Sequence, residues 1–236
     1  MTLKVIAYAR NGHTDKFGIP RQSREDSPIR TRIVFEPEFR VKEALRGIEG
    51  YSHLWLIWGF SEISRSRDDE MTKEETSKEE SWSPTVRPPR LGGNKRMGVF
   101  ATRSPFRPNP IGLSSVKLEE VTKEGDLIVS GADVLDGTPI YDIKPYLSFS
   151  DSHEEARNGF AEETKAYRLA VDWDLIGGRI LLPRSTKKEM EYILSQDPRP
   201  GYQNDPEREY KLDYAGWTVT FVVEEQKVIV KKLEKK

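Results

Sequence analysis

The side chains best equipped for chemistry fall in two stretches. One runs through Arg87, Arg90, Lys95, Arg96, Arg103 and Arg107 to Asn109, set among Pro88, Pro89, Pro105, Pro108 and Pro110. The prolines stiffen the backbone, and the guanidinium and carboxamide groups project forked donors suited to phosphates and carboxylates. The other stretch is Asp136-Gly137-Thr138-Pro139 followed by Tyr141, Asp142, Lys144 and Tyr146. It gathers two carboxylates, an ammonium and two phenols around a turn, all groups that can hold or move a proton. Both are equally what a pair of proline-rich crossovers closing a barrel would look like. From Ser81 to Leu118 there is no Asp or Glu, so a positive face lies hidden under a net charge of -1 from 38 Lys+Arg and 39 Asp+Glu.

Other chemistries are unsupported. With 0 cysteines there is no disulfide, thiolate metal site or thiol nucleophile. No G-x-G-x-x-G, G-x-x-x-x-G-K-[ST] or G-x-S-x-G occurs, which argues against a Rossmann cofactor site, a P-loop and a hydrolase elbow. His13, His53 and His153 are scattered, so no metal is expected. His53 lies within an apolar run and reads as a structural histidine. No apolar run approaches a membrane span, and Met1 to Ile6 lacks a signal-peptide shape, so a cytoplasmic protein is expected.

The elements that must position these groups are mostly strands. Leu3 to Ala7, Arg32 to Phe35, His53 to Phe60, Met97 to Ala101, Ser114 to Leu118, Leu127 to Val129 and Ile140 to Ile143 are short runs punctuated by Gly, Pro and Asp. The run from His53 is apolar on both faces and predicts a buried strand; Glu38 to Gly47 predicts a short helix. Many short strands with few helices predict a mainly β protein built on a single, non-Rossmann β-barrel. Ser64 to Ser83 interrupts the pattern with a charged, apolar-poor insertion read as a solvated loop. After Tyr146 the texture changes. Ser185 is the expected N-cap of a helix with Met190, Ile193 and Leu194 on its apolar face, and Trp217 to Val223 with Val228 to Leu233 predicts a closing hairpin. The expected domains are a barrel over 1–150 and a small α+β domain over 151–236. With 236 residues, 36% hydrophobic and 10% aromatic, the chain can fill both cores despite a mean hydropathy of -0.69.

Seven pieces occur in a telling order: Ile19-Pro20-Arg21-Gln22, Ser52-His53-Leu54-Trp55, Arg87 to Gly93, Gly98 to Gly112, Asp136 to Pro139, Asp142 to Tyr146 and Gln196-Asp197-Pro198-Arg199-Pro200. In these words the chain resembles, over nearly its whole length, the TsaA-like (YaeB/TrmO-type) family of tRNA (adenine-37-N6)-methyltransferases. The resemblance implies a β-barrel that uses S-adenosyl-L-methionine to methylate N6 of threonylcarbamoyl-adenosine beside the anticodon, typically in a threonine tRNA. It also implies a homodimer with the cofactor near the subunit interface. Carried over motif by motif, the cofactor contacts are Pro20, Arg21, Gln22, Arg103, Leu113 and the backbone of Ser130, Gly131, Ala132 and Asp133. Familiar members have His-Gln where this chain has Ser61-Glu62, which leaves only backbone contacts expected there.

The chemistry of these residues suits that cofactor. Arg103 or Arg21 can pair its carboxylate, Asp133 can take a ribose hydroxyl or the ammonium, and main-chain groups near Gly131 can meet the adenine edge. The acceptor nitrogen is urea-like, so removal of its proton should help; Asp136, Asp142 and Tyr146 are the candidate bases, with a turn-forming role for Asp136 equally open. Arg87, Arg90, Lys95, Arg96, Arg107, Asn109 and Lys144 are the candidate tRNA contacts. The alternative is a non-catalytic RNA-binding or S-adenosylmethionine-binding module on the same barrel.

Overall fold

Strand pairing begins where the alternation of apolar and polar residues is cleanest. The computed structural model describes residues 2–15, 17–20, 22–24, 26–60, 82–88, 95–164, 167–176, 182–199 and 205–236. Six strands, β1 (Ala7–Arg10), β2 (Arg30–Phe35), β3 (His53–Gly59), β6 (Ile111–Val121), β7 (Leu127–Ser130) and β8 (Pro139–Pro145), close a barrel in the order β1-β2-β7-β6-β3-β8, every pair antiparallel. Closure leaves no free barrel edge. Alternate residues point inward, so Ala7, Ile33, Leu54, Leu56, Val116, Leu127, Val129 and Ile140 form the barrel core. A two-stranded ribbon, β4 (Thr85–Val86) with β5 (Met97–Gly98), sits beside it.

A second core lies under a sheet ordered β10 (Tyr210–Tyr214), β11 (Trp217–Glu224), β12 (Lys227–Lys235), β9 (Ala170–Asp172), with β9 parallel to β12. Between β8 and β9 comes the one-turn helix α1 (Ser148–Asp151), and α2 (Arg184–Ser195) packs Met190, Ile193 and Leu194 into this second core. Phe17 and Ile29, from the chain between β1 and β2, pack there too. A backbone bridge from His13 to Tyr214 and a hydrogen bond from the Ala215 amide to the Gly12 carbonyl at 2.9 Å tie the first hairpin to the C-terminal sheet.

Several elements differ from the sequence reading. The helix expected over Glu38 to Gly47 is instead a pair of 3₁₀ segments, Lys42–Leu45 and Ile48–Gly50, parted by Gly47 at φ 89°. Leu45 is their one buried side chain, so no apolar stripe exists to hold an α-helix down. In the run Met97 to Ala101 only Met97–Gly98 is strand; Val99–Ala101 turns into 3₁₀ because the Thr102 hydroxyl donates to the Val99 carbonyl at 2.8 Å. The N-cap of α2 is Pro183 rather than Ser185, which already lies inside the helix. β3 is buried along the Leu54, Leu56, Trp58 face alone; His53, Trp55 and Ile57 are half-buried on the other. The charged insertion, residues 64 to 80 above all, lies outside the described residues.

Candidate functional site

β6 runs from Ile111 to Val121 along the whole length of β3, but its pairing with β7 ends at Lys117 opposite Ser130. Beyond that pair β7 turns away at Gly131, which has φ 86°. A Cβ there would stand 2.8 Å from the Arg24 carbonyl oxygen, so this turn requires glycine on two counts. At the half of β6 left unpaired, the Ser23 hydroxyl donates to the Ser115 carbonyl. The parting of β6 from β7 thus opens a cleft of about 830 Å³.

One wall of the cleft is aromatic: His53, Trp55, Trp58, Phe60 and Tyr146. Tyr146 packs 5.4 Å from Trp55 and 6.1 Å, edge-on, from His53, while Trp58 meets Phe60 at 4.5 Å. The Trp55 indole is fixed from outside by Nε1–H donation to Asp151 at 2.8 Å. Gly112 leaves the space for the Trp58 ring, since a Cβ there would come within 2.2 Å of it.

The other wall is polar and carries both signs. Asp133 accepts from the Ser114 hydroxyl at 2.5 Å, and Ser114 in turn accepts from Trp58 Nε1 at 2.9 Å. The Ser23 amide and its own amide also donate to Asp133, and Arg103 acts on it through space. Desolvation outweighs these and holds the Asp133 carboxyl above the usual range. Arg103 itself is exposed and makes no ion pair among the described residues. Arg107 lines the cleft, but its Nη1 donates to the carbonyls of Thr102 at 3.1 Å and Ser104 at 3.0 Å, stapling the loop that carries Arg103. At the opposite rim Arg24 is oriented by Asp26 at 3.0 Å, which also accepts from the α2 hydroxyl of Tyr192 at 3.2 Å.

Pro20, Arg103, Leu113, Ser130, Asp133, Tyr146 and Arg107 therefore face one cleft. Gly131 and Ala132 are buried between the lining residues Ser130 and Asp133 without lining the cleft themselves, and Gln22 is half-buried next to Ser23. Asp136 does not line it: its carboxylate accepts from the Asn11 amide at 3.0 Å and meets Arg10 at 3.5 Å, holding the turn. Asp142 is paired with Lys144 at 2.8 Å and caps its neighbour's amide, away from the lining. Arg87, Lys95, Arg96 and Asn109 are exposed outside the cleft. Arg21, Ser61, Glu62 and Arg90 lie outside the described residues. Sequence reasoning missed Ser114, Trp58, Ser23 and Arg24; the one signal was the Ser114-Ser115 pair inside an apolar strand, where a buried hydroxyl needs a partner. Among the described residues no cluster of three or more His, Asp or Glu could hold a metal, and no helix is long and apolar enough to cross a membrane.

A closed barrel with an aromatic-walled cleft, bearing a desolvated carboxylate and a guanidinium that makes no ion pair among the described residues, has the form of a ligand-binding barrel of the non-Rossmann kind. The chain belongs to the tRNA-methyltransferase O family: residues 8–152 match its N-terminal domain and residues 183–236 the TrmO C-terminal domain. A tRNA (adenine(37)-N6)-methyltransferase from Eikenella corrodens is 43% identical over 182 residues, 76% of this chain and 95% of that protein. A Pseudomonas aeruginosa protein carried as a candidate S-adenosylmethionine-dependent methyltransferase is 40% identical over 212 residues, 87% of this chain and 85% of its own. The crystal structure of TrmO from Pseudomonas aeruginosa superposes with a TM-score of 0.73 at 30% identity, covering 99% of this chain and 98% of that one.

Proposed function

We propose that the chain methylates N6 of threonylcarbamoyl-adenosine at tRNA position 37, beside the anticodon of a threonine tRNA, with S-adenosyl-L-methionine as donor. One observation carries this reading: residues from four separate segments, Pro20, Arg103, Leu113 and Ser130 with Asp133, share a single cleft. Its donor set fits an amino-acid–nucleoside cofactor. Arg103 offers a forked cation for the carboxylate, Asp133 an acceptor for the ammonium or a ribose hydroxyl, and Leu113 with Pro20 an apolar floor.

When bound, the cofactor supplies an electrophilic methyl group. The chain's own task is to bring the acceptor nitrogen into line with it, and positioning alone supplies much of such an acceleration. The aromatic wall of Trp55, Trp58 and Tyr146 suits a flat base lifted out of its stack. Of the three candidate bases, Tyr146 is the one that faces the cleft, and its hydroxyl can accept from the acceptor N–H and fix the nitrogen's orientation. Asp136 and Asp142 are committed to Arg10 and Lys144 and serve the turn and the strand.

The enzyme works in the cytoplasm as a homodimer. Leu113 and Ile111, 56% and 39% exposed, line the cleft where it opens on β6, so a second copy covering them would close the cofactor site from outside. Sedimentation showing a fully active monomer would contradict the dimer. Mass spectrometry of tRNA nucleosides from cells lacking the protein tests the reaction: methylated threonylcarbamoyl-adenosine should disappear while its unmethylated parent accumulates. An unchanged nucleoside profile would overturn it.

A further inference from the structure

Phe100 is 74% exposed, yet the turn that carries it is fixed on every side. Its neighbour Val99 is buried, and the Val99 amide donates to the Pro84 carbonyl at 3.0 Å. The Thr102 hydroxyl and amide close on the Val99 carbonyl at 2.8 and 3.1 Å, and the strand leading in is paired with Thr85–Val86. A ring held out by so cross-linked a turn has little backbone freedom left to lose on binding. Two residues further on, Thr102 and Arg103 line the cleft.

Along the described chain next to this ring, 82–88 and 95–118, the charged side chains are all cationic. Arg87, on the ribbon strand's exit, and Lys95 and Arg96, just before β5, are exposed and make no ion pair among the described residues. No acid occurs between Ser81 and Leu118. Other strongly exposed apolar side chains lack that setting: Phe149, 87% exposed, shares its helix with Asp151, and Leu175, 62% exposed, follows Asp174. An aromatic face among unpaired cations is the combination by which proteins hold single-stranded nucleic acid.

We propose that Phe100 is a stacking platform for an unpaired base of the RNA that enters the cleft, with Arg87, Lys95 and Arg96 meeting the adjoining phosphates. This rests on the tRNA reading above. A nucleoside drawn into the cleft leaves its neighbour with an uncovered face, and the Phe100 ring replaces the lost stack.

The test is binding of a fluorescently labelled anticodon stem-loop to the full chain at fixed salt, with sedimentation and calorimetric S-adenosylmethionine binding on the same preparations. Phe100→Ala should raise the RNA Kd about 5- to 150-fold, the range for one lost aromatic–base stack. Phe100→Tyr and Phe100→Trp should restore binding to within about threefold, whereas Phe100→Leu should behave as the alanine variant, because leucine keeps apolar area but has no π face. The salt dependence should keep its slope, since no phosphate contact is removed. Restoration by leucine, or a changed sedimentation coefficient for Phe100→Ala, would assign the ring to an interface between copies and overturn the proposal. Equal RNA affinity in all four variants would overturn it alone; failure of the wild-type chain to bind the stem-loop would overturn the tRNA reading and the platform together.

Discussion

Asp126 and Asp133 stand at opposite ends of β7, one just before Leu127 and the other just past Ser130. Asp126 is 1% exposed and fully engaged: Arg32 at 2.8 Å, Arg40 at 3.2 Å and the Phe35 amide at 3.3 Å. Asp133 accepts from a hydroxyl and amides, but among the described residues it makes no ion pair, and Arg103 acts on it only through space. The first carboxylate is closed by the protein's own charges and braces β2 against β7. The second is hydrogen-bonded but has no ion pair among the described residues, which is what a proposed ligand site there would use.

Removing Asp126 should give the largest effect. Asp126→Ala leaves two guanidiniums without their buried partner and should cost about 2–4 kcal/mol of stability in urea unfolding, toward the low end because Arg32 and Arg40 reach water. Asp133→Asn keeps the hydrogen-bonding shape and removes a desolvated charge, so its unfolding midpoint should stay near the wild type. Equal losses in the two variants would break the comparison. Next, on the proposed cofactor assignment, Arg103→Ala should weaken S-adenosylmethionine binding by about 1.5–3 kcal/mol in RNA-free calorimetry, the loss of one charge-assisted bond to the ligand, with no change in Tm.

A third buried titratable group sharpens the contrast by pH. His13, packed edge-on against Tyr214 at 5.1 Å, is pulled by burial from 6.5 down to about 4. The unfolded chain therefore binds the extra proton first. Stability from His13 is complete above about 6.5 and falls as pH drops toward 4, by at most about 3 kcal/mol. His13→Phe should flatten that dependence in unfolding titrations between these pH values. Asp133, shifted upward, acts with the opposite sign: its contribution falls as pH rises through its folded pKa, and Asp133→Asn should remove that slope. Gly131→Ala should cost more than the ~1–2 kcal/mol of forcing a side chain into the left-handed region, because its Cβ would also stand 2.8 Å from the Arg24 carbonyl oxygen, and urea unfolding measures the loss.

The barrel was legible because period-two alternation and turn residues are local signals, and the strands around Leu54, Val116 and Val129 needed no more. The 3₁₀ turns after Glu38 and at Val99 were not, because burial and a single threonine hydroxyl decide them. At the site, arginines and motif words drew attention to Arg103 and Asp133, yet Asp136 and Asp142 looked alike in sequence. Only the fold shows them closed by Arg10 and Lys144. The Trp58–Ser114–Asp133 relay joins three segments of chain and has no one-dimensional signature.

The open end of β7, beside Asp133, is the proposed cofactor site. S-adenosylmethionine titrated calorimetrically into the RNA-free wild-type, Asp133→Asn and Asp126→Asn chains tests this most directly. Asp133→Asn should weaken binding roughly tenfold or more, while Asp126→Asn, compared at equal folded fraction, should bind as the wild type does. Wild-type affinity in Asp133→Asn, or an equal loss in both variants, would contradict it.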